Sequence, residues 1–108
     1  MRTLKFIVNK QRMKKDPNCD FGSIVAGSIG YLEAEFQTTS DWSNCTLIAY
    51  FTGDGKEEYM PVINGKCDIP SEVLGGVSFT VQLVGTRDAD YKVISTRETI
   101  LQKVQKVR

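Results

Sequence analysis

Hydrophobic and polar positions alternate with a period of two in several short runs of this chain. The clearest run is Val77 to Leu83. Val77, Phe79, Val81 and Leu83 fall on one side, and Ser78, Thr80 and Gln82 on the other. Successive side chains leave opposite faces of an extended strand, so the pattern predicts a half-buried strand. The preceding stretch reads as a short strand from Lys66, a stop at Pro70, one helical turn through Ser71-Glu72-Val73-Leu74 and a break at Gly75-Gly76. Together they describe a central strand and the corner that delivers the chain into it.

The same reading extends along the chain. Thr3 to Asn9 is a strand with Leu4, Phe6 and Val8 on its apolar face. The basic stretch after it is a loop or loose edge hairpin, turned at Asp16-Pro17-Asn18. Ser23-Ile24-Val25-Ala26 is a brief strand among glycines. In Tyr31 to Thr38, Leu32, Ala34 and Phe36 oppose Glu33, Glu35 and Gln37, which predicts an antiparallel sheet with one wet side. Cys45 to Thr52 is apolar on both faces and so reads as central.

Thr52-Gly53-Asp54-Gly55-Lys56 is a hairpin turn, and Pro61 gives the returning strand an edge position or a bulge. Asn64-Gly65 predicts a second hairpin, joining Tyr59–Ile63 to Lys66–Ile69. Thr86 to Asp90 is a polar turn before a strand at Tyr91–Ile94, which Ser95-Thr96-Arg97 interrupts. Residues 98–108 are a strand through about Leu101, with a final strand or mobile tail beyond. Seven or eight short strands with frequent turns and no long helix predict an all-β fold. The expectation is one immunoglobulin-like antiparallel β-sandwich domain over residues 1–108. Trp42 lies only three residues before Cys45, so the disulfide core of antibody domains is not expected.

Length and charge narrow the function. A chain of 108 residues fits one core. Basic residues crowd the two ends, from Arg2 to Lys15 and at Lys103, Lys106 and Arg108. Without interleaved aromatics they read as solvated edges, and no nucleic-acid partner is expected. No apolar run approaches the ~20 residues of a membrane-crossing helix, and the N-terminus lacks the features of a secretion signal. The expectation is therefore no membrane partner and synthesis in the cytoplasm.

The chemistry of common active sites is missing from the sequence. Histidine, the usual general base, does not occur. Cys19, Cys45 and Cys67 are too few and too widely spaced for a structural zinc site, and Cys45 and Cys67 read as small buried hydrophobes in strands. Asp54, Glu57 and Glu58, like Asp88 and Asp90, cluster at turns without the spacing of a calcium loop. Glu33 and Glu35 read as solubility residues on a wet face. No catalytic, cofactor-binding or metal-binding residues are assigned. Four aromatics are candidates for partner contact: Trp42, Tyr50, Tyr59 and Tyr91. For Trp42 the favoured alternative is a seal at the end of the core.

The motifs also carry a resemblance. An aromatic-rich strand ends at Phe51. A hairpin follows, then a C-x-I-P-x-E-V-L corner (Cys67, Ile69, Pro70, Glu72, Val73, Leu74) and an F-x-V-x-L-x-G strand (Phe79, Val81, Leu83, Gly85). With the opening LKFIVNKQRMKKDPNCDFGSIVAGSIGYLEAEFQTTSDW, this resembles small proteins of tailed phages and prophages of Gram-positive bacteria. It is also similar to the N-terminal modules of phage baseplate upper proteins. The resemblance covers nearly the whole chain and implies a non-enzymatic virion module of the tail or baseplate. Its partners would be other phage structural proteins, with homo-oligomerisation possible. It transfers no catalytic residues, and a receptor-binding portion after the module is not expected. The competing expectation is a small carbohydrate-binding sandwich that uses the exposed aromatics.

Overall fold

The computed structural model describes residues 1–105. Its strands, in chain order, are β1 (Arg2–Asn9), β2 (Arg12–Lys15), β3 (Leu32–Thr38), β4 (Thr46–Gly53) and β5 (Lys56–Val62). They continue with β6 (Lys66–Asp68), β7 (Ser78–Asp88), β8 (Tyr91–Ile94) and β9 (Glu98–Leu101). One-turn 3-10 helices occupy Ser40–Trp42 and Ser71–Val73. The first sheet has the order β2-β1-β3-β6. The second runs β5-β4-β7-β8, with β9 also pairing β7. The chain is a β-sandwich, as the alternation predicts.

The alternation fills the space between the sheets. Leu4, Phe6 and Val8 of β1 and Leu32, Ala34 and Phe36 of β3 are buried from one side. Ala49, Phe51, Phe79, Val81, Leu83 and Ile100 are buried from the other. The Phe6 and Phe36 rings stack with centroids 5.6 Å apart. The corner at Pro70 contributes Ile69, Val73 and Leu74, all nearly inaccessible to water.

The structure corrects several local expectations. The first sheet is mixed, because β1 pairs in parallel with β3 from Arg2↔Leu32 to Val8↔Thr38. After β2 the chain crosses back past β1 before β3 begins, so both strands enter in one direction. Ser23–Ala26 is no strand. It makes only a parallel bridge between Val25 and Lys103, because positive φ at Ser23 (56°) and Gly27 (92°) breaks the extended backbone on both sides. Val77 is 69% exposed rather than inward. The pleat begins only at Ser78, after the Gly75-Gly76 break, so Val77 does not share the alternation of Phe79.

The Asn64-Gly65 turn forms, with φ of 53° and 78°. These values suit a tight reversal that β-branched residues resist. Its hairpin is a single bridge, Ile63↔Lys66. Beyond it the strands part, β5 to the edge of the second sheet and β6 to β3. The turn is therefore a corner between the layers. Cys45 precedes β4 and is half-buried, whereas Cys67 lies in β6 and is buried. The strand expected from residue 98 to about Leu101 forms as β9, and beyond it Lys103 bridges Val25. Lys106 to Arg108 lie outside the described residues.

Among the described residues the strands number nine, because β8 and β9 share one edge of β7. β9 covers Ser78 to Val81 and β8 covers Val84 to Asp88. Ser95 bridges the gap. Its backbone N–H donates to the Leu83 carbonyl at 2.9 Å, and its Oγ accepts from the Leu83 N–H at 2.9 Å. The next residue ties this edge to the other sheet. The Thr96 N–H donates to the Gln11 carbonyl at 2.7 Å, and the Met13 N–H donates to Thr96 Oγ1 at 3.1 Å.

Two stability measurements check this account. Phe79→Ala is expected to cost about 3–5 kcal/mol of unfolding free energy, while Val77→Ala stays within about 0.5 kcal/mol of the parent in urea titrations. Equal costs at the two sites would reverse the assignment of inward faces. Ser95→Ala strips a buried N–H of its acceptor and is expected to cost about 1–3 kcal/mol. An unchanged denaturation midpoint would mean that the gap in the ladder closes without the hydroxyl.

Candidate functional site

β4 lies inside the second sheet, so its outward side chains meet neighbours on both flanks. Ala49 and Phe51 point into the core and leave Ile48, Tyr50 and Thr52 on the outer face. Register then builds three rows. Ile48 lies between Pro61 and Val84, and Val84 is opposite Ile94. Tyr50 lies between Tyr59 and Gln82. Thr52 lies between Glu57 and Thr80, with Thr99 beyond. The face thus runs from an apolar row through an aromatic one to a polar one.

Residues of the first two rows form a shallow depression of about 380 Å³, also lined by Lys92 and Arg97. Tyr50 and Tyr59 meet with ring centroids 4.6 Å apart and planes tilted by 45°. Directly opposed aromatics are a favourable cross-strand pair. The Gln82 amide is fixed, because Nε2 donates to the Ser95 carbonyl at 2.9 Å. A hydrogen bond with Glu57 holds the Tyr50 phenol above its ordinary pKa, while the Arg97 cation works in the opposite direction. Glu57, Tyr50 and Arg97 therefore sense one another across the face. The hydroxyls of Thr52 and Thr80 are also hydrogen-bonded to each other.

The outer face of the first sheet is different. Lys5 and Lys66 flank Glu35, and Thr3 and Asp68 flank Glu33. Lys66 reaches Glu35 at 3.6 Å and Glu33 at 4.0 Å, and Thr3 donates to Glu33 at 2.8 Å. Glu33 and Glu35 are thus held in a solvated charge network, which is the ordinary use of a wet sheet face.

The four aromatic candidates separate into two pairs. Tyr50 and Tyr59 lie together in the depression, where Tyr59 is 66% exposed. Trp42 is only 2% exposed, which fits the favoured reading as a seal and removes it from the contact candidates. Its Nε1 donates to the Lys10 carbonyl at 2.7 Å. A Cβ at position 85 would come within 3.0 Å of its ring, so Gly85 makes room for the indole. Tyr91 braces the same end: its hydroxyl donates to the Asp41 carbonyl at 2.5 Å, and the Arg87 guanidinium lies 3.7 Å from its ring centroid.

Sequence reasoning did not assign Ile48, Gln82, Val84, Ile94 and Arg97 to the site. The available signal was the doubly apolar pattern of β4. In a two-layer sandwich, an inner strand's second apolar face has no layer to cover it. Among the described residues no three His, Cys, Asp or Glu side chains are grouped to hold a metal. Asp88 instead accepts a bond from the Asp90 N–H at 2.8 Å within its turn. No protein-family model matches the chain, and neither does any curated protein.

The cysteines are all free thiols. Burial pushes the Cys67 thiol up from 9.0 to about 12, with Asp68 and Glu33 adding to the effect. Between those values the unfolded chain loses this proton and the native chain keeps it, so rising pH favours unfolding. Stability is expected to fall as pH rises above 9.0 towards 12, and Cys67→Ala should flatten part of that fall. Urea midpoints measured across this range test the effect, and parallel curves for parent and variant would contradict it.

Proposed function

We propose that the chain is a non-enzymatic structural or adaptor module of a phage or prophage virion. It is read as an immunoglobulin-like block of the tail or baseplate, made in the bacterial host cytoplasm and carried in the particle. It works by protein–protein contact. The observation that supports this reading most is the outer face of the second sheet. Ile48, Ile94 and Tyr59 are exposed there in adjoining rows on paired strands. A contiguous apolar and aromatic surface on a rigid scaffold suits docking. The sequence resemblance to phage modules supplies the setting.

A carbohydrate-binding reading has one observation in its favour. The Tyr50–Tyr59 pair, beside Gln82 and Arg97, offers a stacking surface with polar groups at its margin. The burial of Trp42 takes away the largest platform that reading relied on.

Mass-spectrometric inventory of purified virions of the encoding phage tests the proposal. The chain is expected in several copies per particle, alongside tail and baseplate components. Its absence from particles in which those components are detected would overturn the reading. A glycan-array signal abolished by Tyr59→Ala would move the assignment to the carbohydrate module.

A further inference from the structure

The outer face of the second sheet is charged unequally across its width. Its β5 flank carries Glu57, opposite Thr52. The opposite flank carries Lys92 on β8 and Arg97 just before β9. Between the flanks lie Tyr59, Tyr50 and Ile48, with Val84 and Ile94 beyond. Glu57 and Arg97 are three strand spacings apart in the order β5-β4-β7-β9, a separation of about 14 Å.

A patch with an apolar middle, one acidic flank and one basic flank is complementary to itself. A twofold axis lying in the interface, parallel to the strands and over the line between β4 and β7, would carry each Glu57 over the partner copy's basic flank. It would also lay the two apolar middles against each other. Closed twofold contacts of this kind place one surface patch on both subunits. The outer face of the first sheet lacks the arrangement, because its charges alternate and already pair within the chain.

We infer that this face binds a second copy of the chain, forming a face-to-face twofold dimer through the Tyr50–Tyr59 depression. The inference rests on the assembly reading above and names the partner of that same surface. Four strands and about five residues along each give roughly 300 Å² of sheet. That is small for a stable interface, so a weak dimer with a Kd of about 100 µM is expected. Placement of many copies in one particle would raise the local concentration and favour the contact.

Sedimentation velocity of the purified chain from about 10 µM to about 1 mM tests the inference. The parent should pass from monomer to dimer over this range. Glu57→Arg and Arg97→Glu should each weaken the dimer by about tenfold or more, by setting like charges together. The double variant should return to within about threefold of the parent, because the flanks are exchanged. Tyr59→Ser should also weaken association, and near-unchanged thermal melts would show that each variant folds. A monomer at all concentrations overturns the inference. So does a dimer indifferent to these changes, which would belong to another surface. A chain found in virions yet monomeric in solution would defeat the dimer alone, whereas a dimer absent from virions would defeat the assembly reading.

Discussion

Strand β7 has more length than either neighbour on its outer edge can pair. It carries eleven residues, while β8 and β9 have four each. A single continuous partner would leave no hinge between the layers. The chain instead breaks at Ser95, satisfies both polar groups of Leu83 there, and spends the next residue on the β1–β2 hairpin. Gln11 returns the link, with Nε2 donating to the Ile94 carbonyl at 3.1 Å. The sheets thus meet through hydrogen bonds at an edge as well as through hydrophobic contact between their faces. Burial alone is non-directional, whereas these bonds fix where one layer sits on the other.

The same break shapes the outer surface. It ends β8 at Ile94 and presents Arg97 immediately before β9. Both side chains line the depression that Tyr50 and Tyr59 occupy. A continuous strand would have alternated straight through this region. The polar interruption therefore serves two places at once, closing the edge of the sandwich and setting a cation beside two phenols.

Much of the architecture could be read from the sequence. Period-two alternation located β1, β3 and β7, a doubly apolar run located β4, and the positive-φ turn at Asp54-Gly55 joined β4 to β5. Pro61 marked the edge that β5 forms. Pairing direction was harder, because no local pattern distinguishes a parallel neighbour from an antiparallel one. β1 and β3 meet only after the intervening hairpin and crossing segment have been placed. Asn64-Gly65 announced a reversal correctly but not that its arms would enter different layers. The site was less legible still. Tyr50 and Tyr59 were visible as aromatics, yet their meeting depends on the register Tyr50↔Tyr59. Gln82 and Arg97 entered through a ladder that a chain reader cannot align.

The unlike outer faces have a geometric consequence. The first sheet turns a paired, water-loving back to its surroundings, while the second exposes its greasy tiles. A brick mortared on one side only can finish a stack but cannot continue it. Under the proposed face-to-face contact, pairing through the second sheet's face ends at two copies, because the first sheet's face offers no matching surface. Any longer array would have to run sideways, through the rims of the sandwich. There the lysines of β2 and the proline of β5 stand guard against strand-to-strand adhesion.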